Sequence, residues 1–234
     1  MLLSALGQHS NAVVYGEIFN NTRHDRLGYN NKIHLPYIRY QTALKIREDF
    51  PIRFLEDHIF RVFHRDTAAV GFKFFYWHCQ EDHWRCVWDY LKEKKEIKII
   101  HIKRKNKLRT LASLKLAQQS EQWSQKHLGE KKKQGAVSLD FGKCLEVFND
   151  WSEKETFYDN YFSDHPMHEV TYENLCEKYE KEMENIQFFL GLKPFRLMPL
   201  TVKQGTRRLD TVIANYAELK EEFEHTEWKH FFED

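Results

Sequence analysis

Glycine, proline and cysteine are all scarce in this sequence, at 9, 5 and 4 residues of 234. So few glycines and prolines exclude a collagen-like, linker-dominated or disordered chain. The cysteines, Cys79, Cys86, Cys144 and Cys176, form no CxxC pair, and a globular domain of this length needs no disulfide staples. No stretch approaches the roughly 20 apolar residues of a membrane span. The opening MLLSALGQHSNAVV has no basic region and turns polar early, so it makes a poor signal peptide. An excess of charge is missing too: 36 Lys and Arg stand against 35 Asp and Glu, a formal net charge of +1. That balance excludes a general polyanion binder with a basic surface. What is present is a core, with 41% hydrophobic and 15% aromatic residues. The expectation is a soluble cytoplasmic chain with no nucleic-acid or membrane partner.

Three near-continuous apolar runs read as parallel strands covered on both faces: 12–15, 68–75 and 97–102. A weaker strand falls at 169–171. Helical patterns fit residues 36–48, 83–95, 106–127, 140–160, 172–190 and 207–223, with Gly191 as the stop after the fifth. Strands alternating with helices predict an α/β fold with a mostly parallel central sheet flanked by helices. Without a repeat or a long Gly/Ser linker, residues 1–234 read as one domain. The chain opens on a helix, Leu2–Gln8, where such a sheet normally opens on a strand, so a first strand is expected to be missing.

Candidate chemistry sits at strand ends, where open α/β sheets bind ligands. Glu17 follows the first strand and suits a general base, or else a helix-start or surface ion-pair carboxylate. Lys73 lies within an apolar strand, a costly place for a charge unless it reaches the open edge. There it meets a reacting group or snorkels into water. Arg104 ends the third strand and can fork two hydrogen bonds to a phosphate, with the Ser113 hydroxyl completing an anion pocket. The bland alternative is a basic helix start with a serine bonded to its own helix. Tyr172, at a strand-to-helix junction, stacks on a base or packs in the core. Lys203, Gln204 and Gly205 lie in a basic loop that closes over an anion or is simply solvated. His78, Cys79, His83 and Cys86 cluster as metal ligands do, but their spacing matches no familiar zinc finger and reads as ordinary packing.

Taken in order, these segments resemble the PAPS-dependent sulfotransferase superfamily, chiefly its bacterial and carbohydrate-type branches. Leu2–Asn11 is similar to the helix after the donor-binding turn, and Gly16-Glu17-Ile18-Phe19 to the strand end that follows. Gly71-Phe72-Lys73 resembles the next strand. Arg104-Lys105-Asn106 with Ser113 resembles the segment binding the donor's 3′-phosphate. Tyr172-Glu173-Asn174-Leu175 is similar to a Tyr-Glu-Asp-Leu signature, and Phe189-Leu190-Gly191-Leu192 to a Phe-Leu-Gly-Leu helix end. The likeness spans nearly the whole chain and is weakest over 20–67.

The resemblance implies a P-loop-like three-layer domain and transfer of a sulfuryl group from PAPS to an acceptor hydroxyl or amine, without a metal. It implies Glu17 as base, Arg104 and Ser113 on the 3′-phosphate, and Tyr172 near the adenine. Lys203, Gln204 and Gly205 would cover the nucleotide. The loop that holds the 5′-phosphosulfate in the family is expected to be missing along with that first strand. The acceptor is expected to be a carbohydrate or another small molecule. The alternative is a degenerate member that binds nucleotide or a protein partner and transfers nothing. No GxxxxGK[ST] supports a nucleotide kinase, and no Asp-x-Asp pair a metal-dependent glycosyltransferase.

Overall fold

The computed structural model describes residues 2–20, 37–120, 135–199 and 208–233. They divide into two compact units that interleave along the chain. The first is built from residues 1–101, 161–168 and 178–200, the second from 102–160, 169–177 and 201–234. No helix among the described residues is long and apolar enough to cross a membrane.

The first unit opens with α1 (Leu2–Leu6) and β1 (Ala12–Val14), then α2 (Tyr37–Asp49) and α3 (Pro51–Phe54). A π turn, Leu55–Ile59, extends α3 directly into β2 (Ala69–Gly71) by way of a loop, and α4 (Asp82–Glu93) follows. β1 and β2 run parallel, with Ala12 opposite Ala69, Val13 opposite Val70 and Val14 opposite Gly71. The pairing continues past the strands, since Tyr15 N–H donates to Gly71 O at 2.8 Å and Lys73 N–H to Gly16 O at 3.0 Å. Phe19, wholly buried, anchors the core above this ladder. Its ring meets those of Phe54, Phe72, Phe74 and Trp84 at centroid distances of 5.5–6.4 Å. Arg47 is buried beside it and donates from Nη1 to Ile18 O at 2.9 Å.

β3 (Ile99–Lys103) pairs with β4 (Met167–Thr171), and both strands run from the first unit into the second. The second unit holds α5 (Lys107–Ser120), α6 (Phe141–Tyr161), α7 (Tyr172–Glu177), α9 (Leu209–Val212), α10 (Tyr216–Phe223) and a closing 3₁₀ turn. Between α7 and α9 the chain returns to the first unit as α8 (Tyr179–Leu190). The second core joins Leu108, Leu111, Ala112 and Leu116 of α5 to Cys144 and Phe148 of α6 and to Leu219 and Phe223 of α10. Asn106 caps α5, its Oδ1 accepting from Arg109 N–H at 2.9 Å.

Helix and strand thus mix as an α/β chain should, with a parallel β1–β2 pair. Several expected boundaries need correction. The described strands form two separate pairs instead of one sheet. The 68–75 run is a strand only over 69–71, because the backbone then leaves the ladder for the turn at 76–79. The expected helix 172–190 breaks between α7 and α8, and 207–223 divides into α9 and α10. Gly191 ends α8 as the sequence predicts, in the left-handed region at φ 77°. Its N–H donates to Phe188 O, and the next N–H to Gln187 O.

Candidate functional site

The β1–β2 register decides where Glu17 and Lys73 lie. Gly16 O accepts from Lys73 N–H, so both residues project from the carboxyl ends of two adjacent parallel strands. Their side chains close an ion pair of 2.8 Å, each about one-third exposed. The second Glu17 oxygen accepts from Asn20 Nδ2 at 2.6 Å. Burial pushes the Glu17 carboxyl up. The hydrogen bond and charge of Lys73, together with the Asn20 amide, outweigh it and hold the group below its ordinary value. The apolar-strand lysine therefore reaches the open edge and meets a carboxylate.

His78 lies against the same pair. Its ring is buried, and Nδ1 accepts from Phe75 N–H at 3.1 Å. That bond leaves the proton on Nε2, which has no partner. Burial, opposed by the Glu17 charge and reinforced by Lys73, lowers the imidazole to about 4, so it is neutral at physiological pH. The sequence offers His78 only as a metal ligand or as ordinary packing, not as part of this corner. Its single usable signal was its place five residues beyond Lys73 in an aromatic run. Of the other residues in that cluster, Cys79 is buried, while His83 and Cys86 lie exposed on α4. His83 Nε2 is 3.4 Å from a Glu48 carboxyl oxygen.

In the second unit, Arg104 directly follows β3 and Tyr172 directly follows β4, and the paired strands bring them together. The guanidinium carbon stands 3.3 Å from the Tyr172 ring centre. Burial lowers the Arg104 group, with the charges of Tyr172, Glu173 and Cys176 acting against it, yet a guanidinium stays protonated. Burial, with Cys176 reinforcing it, pushes the Tyr172 hydroxyl up to about 12. The neighbouring lysines are differently occupied. Lys103 Nζ holds Asp159 at 2.6 Å and Glu169 at 2.5 Å, and Lys107 Nζ holds Glu155 at 2.8 Å. Lys105 N–H donates to Glu173 Oε2 at 3.1 Å. Arg104 faces a ring where its neighbours face carboxylates.

Ser113 lies exposed farther along α5, and among the described residues no hydrogen bond joins it to Arg104. Lys203, Gln204 and Gly205 fall outside the described residues.

The chain is similar to Nodulation protein H of Rhizobium meliloti. The two are 27% identical over 139 residues, which is 58% of this chain and 56% of that protein. The chain thus spans about half the length of the relative it matches. No protein-family model matches the chain, and no solved structure does. The likeness to Nodulation protein H covers too little of either chain to carry residue roles across, so those rest on the geometry of the two strand-end pairs.

Proposed function

We propose that this chain transfers a sulfuryl group from PAPS to a hydroxyl or amine of a carbohydrate or other small-molecule acceptor, with Glu17 as general base. The observation that carries the reading is the Glu17–Lys73 pair at the carboxyl ends of two adjacent parallel strands. The partial similarity to Nodulation protein H supports, at most, sulfuryl transfer as the class of reaction.

Glu17 is held ionised, so at neutral pH it is ready to take the acceptor proton as the new bond to sulfur forms. Lys73 holds that carboxylate in place and keeps it ionised. His78 adds a neutral buried ring near the same pair. Bound PAPS supplies the sulfuryl group and leaves as adenosine 3′,5′-bisphosphate.

The residues present fit such a donor at one place. Arg104, stacked on Tyr172, suits the 3′-phosphate. Ser113, Lys203, Gln204 and Gly205 are the further groups assigned to the nucleotide, with Tyr172 beside the adenine. No metal enters the scheme.

Thermal unfolding with adenosine 3′,5′-bisphosphate and with 5′-AMP at equal concentration tests the donor assignment. Near 100 times the dissociation constant, binding adds about 2.7 kcal/mol, an upward shift of several degrees for a domain of this size. A shift with the bisphosphate alone supports the 3′-phosphate pocket. Equal shifts, or none, would remove it and leave a chain that does not recognise this donor.

A further inference from the structure

Single exposed apolar side chains are ordinary on protein surfaces and need no explanation. Trp77 differs because of how it is held. It is 61% exposed, whereas Trp84 and Trp88 are buried on α4. Its ring stacks on Phe75, with centroids 4.1 Å apart and planes 14° from parallel. Lys73 Nζ lies 4.0 Å from the centre of the same Phe75 ring, and that ammonium is the partner of Glu17. One ring and one ammonium therefore separate the indole from the carboxylate.

The turn that presents Trp77 is rigidly built. His78 N–H donates to Phe75 O at 3.0 Å, and Phe75 N–H donates back to His78 Nδ1 at 3.1 Å. Trp88 Nε1 donates to His78 O at 2.9 Å, and Gln80 Nε2 to Tyr76 O at 2.6 Å. Cys79 is the one non-glycine among the described residues with a positive φ, 56°, and it is fully buried. Strained backbone persists only where its surroundings over-determine it, and such strain concentrates at functional sites. Here two buried residues lock a turn whose exposed product is a flat indole.

We propose that Trp77 is a platform for the acceptor, taking the apolar face of a carbohydrate ring beside the Glu17–Lys73 pair. A rigid indole offers a large contact area at little conformational-entropy cost, and its N–H can bond a ring substituent. A pyranose has the matching chemistry, with C–H groups on its faces and hydroxyls around its rim. The identity of the platform stands on the turn itself. The fate of the bound ring, sulfation, rests on the sulfuryl-transfer reading above.

Binding of cellotetraose and maltotetraose to the whole chain, followed by saturation-transfer NMR and calorimetry, tests the platform. The wild type binds at least one of them. Trp77→Ala weakens that binding on the order of ten-fold, and Trp77→Phe, which keeps a ring, loses only a few-fold. Because Trp77 is largely exposed, Trp77→Ala keeps the wild-type unfolding temperature within a degree or two, which separates lost contact from lost fold. A wild type that binds neither tetrasaccharide overturns the proposal, as does a Trp77→Ala variant that binds as well as wild type. The bisphosphate shift is measured on the same samples. Sugar binding through Trp77 without that shift keeps the platform and discards sulfuryl transfer, and the reverse pattern discards the platform alone.

Discussion

The two strand-end pairs are built on the same plan and differ in their electrostatics. Glu17 and Lys73 leave neighbouring strands and neutralise each other at 2.8 Å. Arg104 and Tyr172 also leave neighbouring strands, but there the cation meets a ring. The first pair has no net charge to offer an anion and keeps a carboxylate ionised, which suits proton transfer. The second retains a positive charge among lysines already occupied by Asp159, Glu169 and Glu155, which suits holding an anion. A strand end supplies position alone, and the partner across the ladder decides the chemistry.

The largest expected effect breaks the first pair. Glu17→Gln keeps the shape and the Asn20 contact while removing the base, so turnover in sulfuryl transfer falls about 10²–10⁴-fold. Breaking the pair from the other side has a different signature. In Lys73→Met the carboxyl loses the ammonium that holds it down, and burial then raises it. The acid limb of the pH–rate profile moves to higher pH. A Glu17→Gln variant with full turnover, or a Lys73→Met profile with an unmoved acid limb, would sink the assignment of Glu17 as base.

The next effect tests whether His78 belongs to the first corner. Its folded value is about 4 against an ordinary 6.5. Between those values the unfolded chain carries a proton that the folded chain refuses, so the unfolded state binds more protons. Stability is therefore full above pH 6.5 and falls as pH drops toward 4, by roughly 3 kcal/mol from this group. In His78→Asn the side-chain oxygen still accepts from Phe75 N–H, but the titration is gone. Urea unfolding of both proteins across this range should show a flatter pH dependence in the variant, whatever its stability at pH 7. Parallel curves would remove His78 as the titrating group.

The expectations met were those that depend on local sequence. The β1 apolar run and the Gly191 stop each follow from a few consecutive residues, and each lies where the sequence puts it. The apolar face of α5 is readable from the spacing of Leu108, Leu111 and Ala112 for the same reason. What could not be read depends on register between distant segments. Whether Lys73 snorkels into water or stays at the open edge is decided by the pairing of Gly16 with Lys73, 57 positions apart in the chain, which neither motif reveals by itself. Arg104 has a basic-helix reading beside its phosphate one, and nothing local in the sequence shows that β3 and β4 bring Tyr172 onto it. The run 68–75 misled for a physical reason, since aromatic residues of high strand propensity also serve a locked turn. Trp77 was passed over because composition gives no sign of which tryptophan stays outside.

The smallest effects sharpen the second pair, and they rank Arg104 against Ser113, the two residues the sequence assigns to the 3′-phosphate. A charge-assisted hydrogen bond contributes about 1.5–3 kcal/mol, so Arg104→Ala should weaken adenosine 3′,5′-bisphosphate binding by tens of fold while leaving 5′-AMP binding nearly unchanged. Arg104→Lys keeps the charge but neither the fork nor the flat stack on Tyr172, and should recover only part of that loss. Ser113 presents a neutral hydroxyl on an exposed stretch of α5, where water competes for every bond it makes. A single bond of that kind contributes about 1 kcal/mol, so Ser113→Ala should cost roughly five-fold. Calorimetric titration of the variants reads both. If Ser113→Ala costs as much as Arg104→Ala, the hydroxyl is drawn into a drier pocket in the bound state than the exposed position on α5 provides. If neither substitution matters, the cation stacked on Tyr172 is a structural stack, and the contrast between the two strand ends loses its anion-binding half.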